Sequence, residues 1–298
     1  ISKLPEPPVL SKFLSEQFLP AQTIESLNIE VNQDFFRRYW LKSDWQFTKF
    51  FVETPDHEKL DTIEILPPNF DFKSYDSKVV IAFNGNGMTY VNYLDQLIQY
   101  SKDLYVVSVG FNYRGVGQST GHPRSFRRLV LDGITQTQRV LNRGVRAENI
   151  TIDGHSLGGA IGAYVVAFFH KHDVKLKLFS DRSFASYDAV IRSKFHHIVA
   201  STLVPVLPNI GWDLTPIDPF NSIDDDYKAF VYCTDDNVID VNASLACVLK
   251  DNNECKGVAA TGGHMFPKDW LNLAKQDRTE DQSNALDVFY DLVQRQFD

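Results

Sequence analysis

The run Ile150–Tyr164, ITIDGHSLGGAIGAY, sets a serine between two glycines as Gly154–His155–Ser156–Leu157–Gly158. A β-like run precedes the pentapeptide and a small-residue helix follows it. This is the strand–turn–helix setting in which G-x-S-x-G forms a nucleophile elbow, with the serine hydroxyl at its apex. A serine in so tight a turn needs glycine two positions before and two after, because a side chain there would clash. Gly159 and Ala160 let the following helix approach the sheet closely. The helix start beneath the serine favours the negative charge that develops there.

An activated serine requires a base, and the base an orienting carboxylate. In an elbow of this kind they follow in the order Ser, acid, His. The run "KAFVYCTDDNVID" reads as a strand entering an acidic turn and offers Asp236 or Asp235; the second position of the pair is the better match for the acid. "ATGGHMFPK" sets His264 in a glycine-rich loop that can hold an imidazole over the serine. His122, His170, His172, His196 and His197 stand in polar segments and are expected to be surface or local hydrogen-bonding residues. His155 is expected to pack beneath the serine.

Acyl transfer at a serine also needs two N–H donors for the oxyanion. Leu157, directly after the nucleophile, is one. The loop "AFNGNGMTY" supplies the other through the N–H of Asn86 or, next, Gly87. "FNYRGVGQSTGHP" lacks the G-x-G-x-x-G fingerprint and the downstream acid of a dinucleotide site, and the chain has no phosphate-loop motif. It is expected to be a glycine-bearing loop beside the site, with Arg114 tying down nearby backbone.

The elements that must carry these loops alternate between short β-like runs and helical stretches, the pattern of an α/β fold with a mainly parallel sheet and helices on both faces. The strand candidates are "WQFTKFFVET", "DTIEILPP", "KVVIAFNG", "LYVVSVGFN", "ITIDGHS", "LKLFSDRSF" and "KAFVYCTDD". Helices are expected over roughly 90–101, 124–143 and 158–170. Residues 186–219 lack a strand pattern and read as one helix plus an irregular loop, a short lid; its "ASTLVPVLPNIGW" is apolar enough to line an acyl pocket. Residues 1–44 read as a helical N-terminal extension packed on a catalytic domain spanning 45–298.

The 298 residues are 43% apolar, enough for one large core. A net charge of −8 argues against a nucleic-acid partner, which needs a basic footprint. Three cysteines, Cys233, Cys247 and Cys255, suit neither a disulfide framework nor a zinc site, and read as buried thiols in a reducing compartment. No metal and no cofactor is called for. No apolar run reaches the roughly 18 residues of a membrane span, so a soluble protein is expected, with peripheral membrane contact left open. The chain opens on Ile1, which suggests a processed fragment whose upstream targeting signal is not legible.

"FNGNG", "FNYRGVGQSTG", "GHSLGG", "CTDDNVID" and "GGHMF" resemble, in order and spacing, the motifs of α/β-hydrolases related to Bem46 and the mammalian ABHD-type enzymes, from about Val52 to the C-terminus. "SDRSFAS" more narrowly resembles the CHLPS family of Chlamydia and related Legionella effectors, which would imply work inside a host cell. Three positions depart from the pattern. Asn84 replaces the usual histidine, Cys233 replaces the glycine before the acid, and Asn112 replaces an aspartate, which removes a carboxylate near Arg114. The resemblance implies an α/β-hydrolase fold and hydrolysis of an ester or thioester of a small-molecule or lipid acyl substrate by Ser156, Asp236 and His264. An amidase, peptidase or acyltransferase on the same residues is a rival. So is a silent binding module on the same fold.

Overall fold

The computed structural model describes residues 46–72, 76–249, 256–260, 263–264 and 280–296. The extension expected over 1–44 lies outside the described residues. Among these, eight strands form one sheet: β1 (Gln46–Glu53), β2 (Lys59–Leu66), β3 (Val79–Phe83), β4 (Val107–Phe111), β5 (Ile150–His155), β6 (Lys177–Asp181), β7 (Lys228–Cys233) and β8 (Lys256–Ala260). Their order is β1-β2-β4-β3-β5-β6-β7-β8. β2 runs antiparallel to β1 and β4, and every pairing from β4 to β8 is parallel.

Helices α1 (Leu94–Leu104), α2 (Phe126–Asn142) and α3 (Leu157–His170) follow β3, β4 and β5 in turn. Between β6 and β7 come α4 (Tyr187–Lys194), α5 (His197–Leu203), α6 (Leu207–Ile210) and α7 (Ile217–Asn221). α8 (Leu245–Leu249) precedes β8, and α9 (Glu280–Gln294) follows it. The β6–β7 segment is thus more helical than its composition suggested. Pro205 and Pro208 sit at the starts of short turns, where a missing N–H costs nothing, and they cut the segment into brief helices.

Strand alternation assigns the two faces of the sheet. In β3, Val79, Ile81 and Phe83 pack with Leu129 and Val140 of α2 and Ile161 and Val165 of α3. Val80 packs instead with Tyr100 of α1 and Phe289 of α9, and Ala82 with Leu97 of α1. Each large side chain buried this way contributes about 1.5–3 kcal/mol, so the doubly covered sheet centre dominates stability. Gly133 of α2 is part of that fit: a Cβ there would stand 2.6 Å from the Phe83 ring.

The seven strands expected from sequence all form. β8 is an eighth that its text, KGVAA, did not announce. Alanine and glycine are weak strand formers, but a Cβ at Gly257 would come within 2.3 Å of the Phe230 ring on the neighbouring β7. Close packing across the sheet, not local preference, asks for this composition.

Candidate active site

Because β3, β5, β7 and β8 are parallel, the loops leaving them emerge on one edge of the sheet, where open α/β sheets keep their sites. These are the loops that carry Asn86, Ser156, Asp236 and His264. Ser156 lies directly past β5 at φ 53°, ψ −115°, a strained conformation for a residue with a side chain. Its N–H donates to the Asp181 carbonyl at the end of β6 (2.8 Å). The two flanking glycines are sterically required. A Cβ at Gly154 would fall 2.5 Å from the Gly158 carbonyl oxygen, and one at Gly158 would fall 1.9 Å from that of Phe83. The strand-to-helix crossing is therefore tight enough to lift the serine out of the sheet.

His264 Nε2 lies 2.9 Å from Ser156 Oγ, and its Nδ1 lies 2.7 Å from Asp236 Oδ2. Ser156 is 6% and His264 3% exposed, and Asp236, half-buried as a residue, turns a 4%-exposed carboxylate toward them. Asp236 Oδ1 accepts the N–H groups of Val238 (2.8 Å) and Ile239 (2.7 Å). Burial alone would raise the Asp236 carboxyl. The hydrogen bond and charge of His264 and the two N–H donors outweigh it and hold the group below its ordinary value. Asp235 faces elsewhere: its Oδ1 accepts from the Cys233 thiol (2.7 Å) and the Gly263 N–H (3.3 Å), tethering the loop that presents His264. Of the two adjacent aspartates, it is Asp236 whose carboxylate lies against His264. The turn with Cys233 in place of glycine is closed by that residue's own side chain.

The loop after β3 is held by Asn84, which is buried and donates from Nδ2 to the Phe111 carbonyl at 2.6 Å. Asparagine at this position thus ties the loop to the end of β4. Gly85 packs on the elbow so closely that a Cβ would stand 2.9 Å from Cδ2 of His155. Asn86 and Leu157 both line the cavity beside Ser156. Gly87, at φ 74°, completes the turn. Leu157 is the first residue of α3, where backbone N–H groups lack a carbonyl one turn earlier.

His155 is buried beneath the serine as expected. Its ring centre is 5.0 Å from that of His264, and its Nδ1 is 3.2 Å from Asp181 Oδ2. Burial holds it below the ordinary imidazole value, with Asp181 pulling the other way. Sequence spacing gave no hint of Asp181, which only the β5–β6 pairing brings alongside.

Three expectations need correction. Arg114 does not tie down backbone; its guanidinium holds the carboxylates of Asp132 (2.6 Å) and Asp56 (2.7 Å). Asn112 does not face that pair, for it accepts the Tyr90 N–H and donates to Asp61. The thiols are not uniformly buried, since Cys247 is exposed and Cys233 is not; Cys255 lies outside the described residues.

The cavity has a volume of about 120 Å³. Besides Asn86, Ser156 and Leu157, its walls are Phe126, Phe184, Trp212, Leu214, Val238 and Ile239, with Tyr187 and Val190 of α4. Of the segment "ASTLVPVLPNIGW" only Trp212 reaches it. Leu203 and Val206 point to solvent instead, because short helices leave one side of each turn without a neighbour. Phe126, from the start of α2, had no mark in the sequence to single it out. Among the described residues, no group of three or more His, Cys, Asp or Glu is arranged to hold a metal, and no helix is long and apolar enough to cross a membrane.

Neither a protein-family model nor a curated protein sequence matches the chain. Solved structures do. An α/β hydrolase from Vibrio vulnificus superposes with a TM-score of 0.63 at 16% identity, over 91% of this chain and 92% of that one. The chain has the α/β-hydrolase fold. The esterase Pf2001 of Pyrococcus furiosus (TM-score 0.55, 16% identity, 76% and 87% covered) shares it. An esterase/lipase from an uncultured bacterium shares it too (0.56, 14%, 97% and 98%). At such identities the likeness is one of fold. What an α/β-hydrolase fold contributes here is the elbow edge at which four separate loops meet.

Proposed function

We propose that the protein is a serine hydrolase that cleaves a carboxylic ester or thioester through an acyl-enzyme, with Ser156 as nucleophile, His264 as base and Asp236 as its orienting acid. The observation that carries this reading is the continuous hydrogen-bonded chain Ser156 Oγ–His264–Asp236, at 2.9 and 2.7 Å, with the serine on a strained elbow. In this reading His264 Nε2 takes the hydroxyl proton as Oγ bonds to the carbonyl carbon. The N–H groups of Asn86 and Leu157 receive the oxyanion. When the bond to the leaving group breaks, His264 returns the proton to that group. Water, deprotonated by the same imidazole, then attacks the acyl-enzyme and releases the acid, which restores Ser156. Asp236 fixes the tautomer with Nδ1–H toward itself and stabilises the imidazolium.

The test is labelling with a fluorophosphonate, read by intact mass on the wild-type protein and on Ser156→Ala. A single adduct that the substitution abolishes is expected, with a loss of ester turnover of at least about 10³-fold. An unlabelled wild-type protein that is well folded would sink the proposal.

A further inference from the structure

The cavity beside Ser156 limits what the proposed hydrolase can accept, and this inference rests on that reading. An apolar cavity of about 150 Å³ holds one benzene molecule, so the 120 Å³ here has room for roughly five carbons. Phe126, Phe184, Trp212 and Leu214 are each at most 5% exposed and wall one side of the space, while Val238, 36% exposed, borders its opening to solvent. Among the described residues, no Asp, Glu, Lys, Arg or His side chain lines it. A charged acyl group would therefore lose its hydration with no partner to replace it.

The walls are also pinned. The Phe126 N–H donates to the Gly211 carbonyl (3.1 Å), and the Trp212 N–H to Leu207 (2.9 Å). The Tyr187 N–H donates to the Leu214 carbonyl (2.7 Å). The Tyr164 hydroxyl bonds both the carbonyl and the N–H of Thr215, each at 3.1 Å. Gly211, at φ 75°, sits against the start of α2 so closely that a Cβ would lie 2.8 Å from that of Ser125. Withdrawing Trp212 and Leu214 to lengthen the cavity would break several of these bonds together. The acyl group stays attached to Ser156 through both chemical steps, whereas the leaving group must escape to solvent. This partly walled space, with its backbone held by these bonds, therefore suits the acyl side.

We infer that this is a short-acyl site, in which Phe184, Trp212 and Leu214 restrict the substrate to uncharged acyl groups of about four to six carbons and turn away long fatty chains. Val190 of α4 lines the same space, so enlarging it should shorten the accepted chain further.

The experiment is kcat/KM for p-nitrophenyl esters from acetate to palmitate on the full chain. Butyrate and hexanoate should be best, with a fall of about tenfold or more by decanoate, the scale that crowding in an apolar pocket sets. Trp212→Ala and Leu214→Ala should each raise the decanoate-to-butyrate ratio by about tenfold, and Val190→Phe should move the optimum toward acetate. Leu214→Ala and Val190→Phe keep the test decisive if Trp212→Ala does not fold. A wild-type optimum at dodecanoate or longer would overturn the inference, as would an unchanged profile in the folded variants. If Ser156 takes the fluorophosphonate and long chains win, only the short-acyl inference fails. If no ester is cleaved and no adduct forms, the hydrolase reading fails and takes the inference with it.

Discussion

Asp236 and His264 meet across 28 positions of sequence at 2.7 Å, while Asp235 uses its carboxylate to hold the Gly263 N–H one residue before that same histidine. The adjacent aspartates thus make separate contacts, Asp236 with the imidazole ring and Asp235 with the loop that carries it. Asp236→Asn should leave the backbone bonds to Val238 and Ile239 largely intact yet present the wrong tautomer. A fall in kcat of about 10⁴-fold is expected from such a change. Asp235→Asn keeps an acceptor for Gly263 and should cost no more than about tenfold. Steady-state kinetics on p-nitrophenyl butyrate checks both, and equal losses would contradict the division.

Asn84→Ala removes the donor to the Phe111 carbonyl and leaves that buried acceptor without it. A destabilisation of about 1–3 kcal/mol is expected in urea unfolding. Because the same loop carries Asn86, the rate of fluorophosphonate labelling should fall as well. A stability loss with normal labelling would show that the loop holds its course without Asn84.

Gly158→Ala sets a methyl group against the Phe83 carbonyl, where no flexible side chain can yield. The elbow must shift, and a misplacement of about 1 Å at a reacting group costs about 10²-fold. Loss of ester turnover of at least that size is the expected result, along with a lower Tm. Gly144→Ala is the comparison at a glycine with open space around it, where any cost comes from its φ of 86° alone; it should leave the rate unchanged.

His155 makes stability depend on pH. Burial holds its folded-state pKa below the ordinary 6.5, so below that value the unfolded chain binds the extra proton first. The contribution is full above pH 6.5 and is lost as pH falls through the folded value. Wild-type Tm should therefore drop more steeply between pH 7 and 5 than that of His155→Gln. Calorimetry at both pH values decides it; parallel slopes would mean that His155 does not titrate on unfolding.

Much of this molecule can be read from its sequence because the informative features are local. A glycine–serine–glycine elbow, an acidic turn after a strand and a histidine in a glycine loop are each short patterns imposed by backbone sterics, and the positions they named come together at hydrogen-bond distance. The β-branched strand runs were equally legible, since strands covered on both faces must be apolar throughout. The features that stayed hidden are those decided by pairing across the sheet or by packing between distant segments. β8 pairs with β7 and sets Gly257 against the Phe230 ring, Asp181 reaches His155 only through strand register, and Asp236 rather than Asp235 lies against His264. The cavity is the clearest instance. Phe126, Phe184 and Trp212 line one small space, yet they come from three separate segments. No spacing rule links them, so its size was decided by tertiary contact alone.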